Sequence, residues 1–327
     1  MELDNYAGIL HTQSCNYYII KLIGEGATSF VYQCQTDDLS TFAIKLYTKE
    51  FAFINETSII SKIPPSKSIV KMFAYGQGKI ERGESLESFT ITENFNTDNK
   101  VNYAIFEYLP NGELFDFVHY PNRGFDEKIV RNLFIQILEA VELCHKNGII
   151  HSDIKLENIL LSNTYELKLI DFGYAREMNG NDSRQYKWLG TVNYAAPEVH
   201  FSPEKNGYDG IKSDIFSLGI MLFILVIGFY PFSKPTFADP LYRLFMEEEY
   251  FLFWDKYEHF KCSDNFKTLF NRMVCFDPDN RIGIEEIRNH PWLNEIEEND
   301  ICLDNEMLEK EFNERKNIID DKKEEIM

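Results

Sequence analysis

His151-Ser152-Asp153-Ile154-Lys155-Leu156-Glu157-Asn158, followed by Ile159-Leu160-Leu161 and then, after a polar turn, by Leu167-Lys168-Leu169-Ile170-Asp171-Phe172-Gly173, is the stretch that decides the fold. The apolar runs Ile159–Leu161 and Leu167–Ile170 read as two short strands turning at Ser162-Asn163-Thr164, a hairpin with turn residues where a turn needs them. A hairpin returns the chain so that Asn158 and Asp171 lie at one end. Their oxygens suit a hard cation such as Mg²⁺. Asp153 is then left to meet a hydroxyl, with Lys155 beside it, and this layout is that of a phosphoryl-transfer site.

Outward from this stretch, Phe125 to Gly148 is the clearest helix. Asp126 serves as its cap, Val130, Leu133, Phe134, Ile137, Leu138 and Val141 recur at three- and four-residue steps, and Gly148 is its stop. Upstream, Tyr17–Ile23 and Phe30–Gln35 read as strands around Gly24-Glu25-Gly26-Ala27-Thr28-Ser29. Two close glycines let backbone N–H groups approach a phosphate, although most such turns are only tight hairpins. No Gly-Lys-Ser/Thr follows, and a strand rather than a helix comes next, so neither a Walker loop nor a dinucleotide fingerprint is present. Thr41–Tyr47 is a strand carrying Lys45, which either snorkels on an edge or aims at phosphate beside a carboxylate. Glu56, in a helical stretch read over Ile54–Ile63, is the candidate carboxylate. Lys71–Asn102 reads as two strands parted by a polar insertion, Gln77–Lys100. Tyr103–Phe106 then leads into Glu107-Tyr108-Leu109-Pro110-Asn111-Gly112, a connector between two lobes. Residues 1–16 read as a loose arm.

At 327 residues with 44% hydrophobic residues, the chain can build a large core. A net charge of −20 argues against nucleic acid as main partner. Residues 294–327 hold 13 acidic and 5 basic residues, so the tail is especially acidic. The six cysteines show no CxxC pair, which favours a reducing compartment over a disulfide or zinc framework. No signal peptide is visible at Met1–Leu10, and the expectation is a cytoplasmic protein, with the nucleus also open to it. Ile215–Ser233 carries no charge over 19 residues. It is read as a buried central helix rather than a membrane span, because Asp214 opens it, Gly219 and Gly228 interrupt it and Pro231 ends it.

Taken together, Gly24-x-Gly26-x-x-Ser29-Phe30-Val31, Ala43-Ile44-Lys45, His151-x-Asp153, Asp171-Phe172-Gly173, Ala196-Pro197-Glu198, Asp214 before Ser217-Leu218-Gly219, and Arg281 make the chain resemble the eukaryotic protein kinases over residues 17–293. The resemblance implies an α+β bilobal protein-kinase fold: a small β-rich N-lobe (17–106), a hinge (107–112) and a larger α-helical C-lobe (113–293), with the ATP cleft between, an arm at 1–16 and an acidic tail at 294–327. It implies ATP and Mg²⁺ as cofactors and proteins with Ser/Thr acceptors as substrates. By resemblance Asp153 is the catalytic base, Lys155 stabilises the transferred phosphoryl group, and Asn158 and Asp171 hold the metal. Lys45 with Glu56 holds the α- and β-phosphates, and the loop Gly24, Glu25, Gly26, Ala27, Thr28, Ser29 and Phe30 covers them. Glu107 and Leu109 present backbone to adenine, Phe106 is the gatekeeper, and Ile23, Val31, Ala43 and Leu160 sandwich the ring. Glu113 and Glu157 sit where relatives grip a substrate arginine, the other reading being solvated carboxylates or ribose contacts. Glu198 and Arg281 would form a buried ion pair.

Lys155 and Gly190-Thr191 look like the serine/threonine branch. Ser29-Phe30-Val31, Gly112-Glu113-Leu114-Phe115, Tyr208-Asp209-Gly210 and His290-Pro291-Trp292 look most like the calcium/calmodulin-dependent group and its relatives. Two departures matter. The arginine that usually follows the first loop histidine is Ser152, and the position often phosphorylated, counted back from Ala196-Pro197-Glu198, is Lys187. Both halves of a phosphate–arginine pair are missing, so activity is expected not to need phosphorylation there. The acidic tail does not support calmodulin binding, and it reads as short amphipathic or partly disordered chain rather than an autoinhibitory helix. A kinase-shaped scaffold or binding protein without turnover is the alternative, opposed by the presence of Lys45, Asp153, Asn158 and Asp171.

Overall fold

The computed structural model describes residues 6–82, 100–187, 190–201, 207–294 and 305–326. The chain divides into two compact units. One holds Met1–Pro110 with Asp171–Gly173, and the other holds Asn111–Ile170 with Tyr174–Met327. The division falls inside the 107–112 connector.

The first unit is a closed barrel of β1 (Gly8–His11), β2 (Asn16–Gly26), β3 (Ser29–Gln35), β4 (Thr41–Tyr47), β6 (Lys100–Glu107) and β5 (Met72–Arg82), in that order, with helix α1 (Glu50–Ile60) between β4 and β5 in sequence. Alternation sets its faces. Ile44 and Leu46 of β4 point inward among Leu10, Ile19, Cys34 and Ile105, all fully buried, whereas Ala43 and Lys45 point the other way. Three expectations are corrected here. Residues 8–11 are not a loose arm: β1 pairs antiparallel with both β2 and β5, and burial of Leu10 holds it there. Residues 77–82 are not insertion but strand, because Gln77, Gly78 and Lys79 pair with Asn102, Val101 and Lys100. The rest of the insertion, 83–99, lies outside the described residues. Helix α1 starts earlier and ends earlier than Ile54–Ile63, with Glu50 in its first turn, and Pro64 disfavours helical geometry at Ile63.

The second unit is mostly helical. It contains α2 (Leu114–His119), α3 (Glu127–Lys146), β7 (Ile149–Ile150), the hairpin β8 (Ile159–Leu161) and β9 (Leu167–Leu169), β10 (Arg176–Glu177), β11 (Arg184–Gln185), α4 (Pro197–Phe201) and β12 (Tyr208–Asp209). Helices α5 (Gly210–Ile227), α6 (Pro240–Met246), α7 (Tyr250–Asp255), α8 (Asp264–Met273), α9 (Ile284–Arg288), α10 (Pro291–Asn294) and α11 (Asn305–Ile326) follow. The Asp126 side chain accepts from Lys128 N and caps α3 as read from the sequence. Helix α5 is long and apolar enough to cross a membrane. Its side chains from Asp214 to Leu225 are instead buried within this unit, and it stops at Gly228, whose φ is 102°. The tail is not disordered over 305–326: α11 is an amphipathic helix with Phe312, Arg315 and Ile319 buried.

Candidate active site

In the first unit the strand register gathers the residues singled out in the sequence. Val31 lies opposite Lys45, Ala43 opposite Phe106 and Lys45 opposite Ala104, so these side chains share one face. Lys45 Nζ lies 2.7 Å from Glu56 Oε2 and 2.8 Å from Asp171 Oδ1, with Lys45 and Glu56 almost fully buried. Tyr47 Oη donates to Glu56 Oε2 at 3.1 Å. Burial alone would lower the Lys45 pKa, but the Glu56 and Asp171 carboxylates outweigh it and hold the ammonium above its ordinary range. Burial raises the Glu56 carboxyl, against the pull of Lys45. Asn55, next to Glu56 on α1, donates through Nδ2 to Gly173 O at 3.1 Å, a second tie between α1 and the Asp171–Gly173 turn. Asp171 has a φ of 60°, and its side chain is 39% exposed.

The glycine loop is tighter than expected. β2 runs through Gly26 and β3 begins at Ser29, so Ala27-Thr28 alone makes the turn. A Cβ at Gly24 or Gly26 would meet nothing closer than 3.5 or 3.6 Å, ordinary contact distances. The chain's own packing therefore does not require glycine at either position, and the open backbone fits a phosphate group. Glu25, Ala27, Thr28 and Phe30 belong to this same hairpin, and Ile23 is 42% exposed at its base. In the connector, Glu107 N donates to Lys71 O at 3.0 Å, and Leu109 is buried.

In the second unit, Asp153 is the centre of a small network. Its Oδ1 accepts from Thr191 Oγ1 at 2.8 Å, and its Oδ2 lies 2.9 Å from Lys155 Nζ and accepts from Asn158 Nδ2 at 3.1 Å. Lys155 also donates to Thr191 Oγ1 at 3.0 Å. Asn158 Nδ2 further donates to Asp153 O, which leaves Oδ1 as the acceptor of that side chain. Ile170 N donates to Asn158 O at 2.9 Å, so the β8–β9 hairpin does return to Asn158 just before Asp171. Taken each by itself, the Asn158 amide oxygen and the Asp171 carboxylate are donors of the hard kind that Mg²⁺ takes.

Buried Asp214 of α5 fixes the loop beneath: its carboxylate accepts His151 N at 2.9 Å and Ser152 N at 3.0 Å, with His145 Nε2 at 2.8 Å. Ser152 takes a φ of 66°, and its buried hydroxyl has no partner among the described residues. A small cavity lined by Ser152, Tyr194, Ser213 and Ser217 lies alongside it. A Cβ at Gly190 would come within 2.3 Å of Ser152 O, so glycine is required at that φ of 102°.

Leu160 pairs with Glu113 in an isolated bridge. Burial first, then Asp116 and Glu157, push the Glu113 carboxyl up to about 7, against Lys323 and Lys155. Tyr194 Oη donates to Glu157 Oε2 at 3.2 Å. Arg281, with no side-chain exposure, makes a bidentate pair with Glu198 at 2.7 and 3.0 Å and donates to Cys275 O and Lys212 O. The expected buried pair is therefore in place. Sequence reading gave no task to Thr191 or to Asp214 in the loop network, although both stand in motifs it quoted.

A family model described as "Protein kinase domain" matches residues 17–293. The chain belongs to the protein kinase domain family. Its relatives include serine/threonine-protein kinase SIK1 of Rattus norvegicus, 39% identical over 58% of this chain and 23% of the relative. CBL-interacting serine/threonine-protein kinase 20 of Arabidopsis thaliana is 32% identical over 84% of this chain and 58% of its own length. Serine/threonine-protein kinase cds1 of Schizosaccharomyces pombe is 30% identical over 88% and 61%. The kinase chain thus spans between about a quarter and three fifths of these curated relatives. They belong to the calcium/calmodulin-dependent group and its relatives, the part of the kinase family that the sequence motifs resemble. The family typically uses ATP and usually Mg²⁺.

Proposed function

We propose that this chain is an ATP-dependent protein serine/threonine kinase that transfers the γ-phosphoryl group of ATP to Ser or Thr hydroxyls of proteins. The observation that carries this reading is the Asp153 network, in which a buried carboxylate is held by Thr191, Lys155 and Asn158. Asp153 accepts and orients the substrate hydroxyl, and Lys155 offsets negative charge on the transferred group. Lys45, held by Glu56, binds phosphate. The Gly24–Val31 hairpin offers backbone N–H groups to it, while Ile23, Ala43, Phe106, Glu107, Leu109 and Leu160 serve the nucleoside. Asn158 and Asp171 would hold Mg²⁺, which when bound would supply positive charge against the phosphate oxygens. Glu113 and Glu157 favour a substrate with an upstream arginine.

Activity on this reading does not depend on phosphorylation at position 187. In support, Ser183 Oγ donates to Asp209 Oδ1 at 2.8 Å, β11 pairs with β12, and Tyr208 Oη donates to Lys187 O at 3.2 Å. These contacts anchor the segment through the chain's own groups. The test is incubation with ATP, Mg²⁺ and a degenerate Ser/Thr peptide library beside Asp153→Ala, with a phosphatase-treated sample in parallel. Incorporation in wild type alone is expected, with an arginine preference and with the treated sample fully active. Equal incorporation in Asp153→Ala would remove the reading, and loss of nearly all activity after phosphatase would remove its phosphate-independence.

A further inference from the structure

Helix α11 lies beyond residues 17–293, where the family match ends, yet it is fastened to the second unit by buried groups. Arg315 is the centre. Its side chain has no exposure, and it donates to Phe117 O at 2.7 Å, Arg123 O at 2.9 Å and Gly124 O at 2.6 Å. These carbonyls belong to the end of α2 and the turn after it, where helix carbonyls lack partners of their own. The guanidinium pairs with Glu311 at 2.7 Å and lies 3.6 Å from the centre of the Phe125 ring. Phe312, also fully buried, stacks on Tyr165 at 4.9 Å, in the β8–β9 turn, and meets Phe117 edge-on at 5.1 Å. Nearer the end of α11, Lys323 Nζ reaches Asp116 Oδ2 of α2 at 2.6 Å.

We infer that Arg315 is a positioning residue: through it α11 braces α2, and so holds Glu113 and Asp116 at the start of α2 in the geometry that a basic substrate side chain requires. Withdrawing a buried guanidinium that satisfies three backbone carbonyls strands those carbonyls and the cation together, a cost that favours a fixed helix over a displaceable one. The fastening to α2 and to the β8–β9 turn joins α11 to elements on both sides of the Asp153 loop in sequence.

This inference rests on the proposed kinase reading for its kinetic part only, and the test separates the two. Full-length Arg315→Gln and Arg315→Lys are compared with wild type by hydrogen exchange and by kinetics on two peptides, one with an upstream arginine and one with alanine there. In Arg315→Gln, amide exchange over residues 114–125 accelerates by at least about tenfold. KM for the arginine peptide rises by about three- to tenfold with kcat little changed, and KM for the alanine peptide stays as it was. Lysine, which keeps the charge but not the planar fork, restores only part of both effects. If Arg315→Gln does not fold, Lys323→Gln, whose side chain is 47% exposed, takes its place, with faster exchange over residues 114–120 expected. Unchanged exchange in these variants overturns the bracing, and a rise in kcat/KM on both peptides overturns it in favour of an inhibitory helix. If wild type fails to tell the two peptides apart, the arginine reading falls while the exchange result still decides the bracing.

Discussion

Lys45 shows how two opposed electrostatic effects are resolved at one side chain. Burial disfavours its charge, and two carboxylates within 3 Å restore it. Glu56→Gln leaves Asp171 as the one remaining carboxylate at the ammonium and frees its position, so kcat/KM is expected to fall by about 10- to 100-fold with the fold intact by circular dichroism. Glu113 carries a pH dependence. Its carboxyl titrates at about 7, so it is largely protonated at pH 6 and ionised at pH 8. KM for an arginine-containing peptide is expected to fall across that interval, and Glu113→Gln should flatten the profile. The folded state holds this proton more tightly than the unfolded chain does. The same group therefore contributes stability that declines as pH rises from the ordinary carboxylate range to about 7. Lys45, Asp153, Asn158 and Asp171 were singled out in the sequence because they stand in the motifs that carry the kinase resemblance. Thr191 was not, because a threonine's hydroxyl becomes informative only when the fold sets it against Asp153.

At the scale of elements, the Arg281–Glu198 pair joins α4 to the turn before α9, with Arg281 also serving the carbonyls of Cys275 and Lys212. Arg281→Ala leaves a carboxylate and two carbonyls short of a partner. It should cost about 3–5 kcal/mol, read as a lowered urea midpoint with an unchanged slope. Helix α3 was legible down to its cap because twenty residues give periodicity room to declare itself. The strand β1 was not: four residues, Gly-Ile-Leu-His, carry too little pattern, and what makes them a strand is two partners elsewhere in the chain. The extension of β5 through Gln77-Gly78-Lys79 is of the same kind, since its residues look like a loop until β6 is placed beside them. Helix α11 was half legible: Phe312 and Ile319 supported an amphipathic reading beside a partly disordered one, while the acidic composition gave no sign that Arg315 would be buried as an anchor.

For the molecule as a whole, the closed barrel of the first unit has a consequence for handling the protein. The ring is closed by one four-residue strand, which satisfies β2 on one side and β5 on the other, each of them 11 residues long. A chain lacking residues 1–12 would present two raw strand margins, with unpaired N–H and C=O groups available to any other extended chain. Leu10 would also leave the barrel interior. Such a chain is expected to form soluble oligomers or precipitate at concentrations where the intact protein stays dispersed, and light scattering of the two proteins side by side measures this. The short opening strand thus acts as a guard against self-association, and a start site chosen at residue 17 because the family match begins there would discard it.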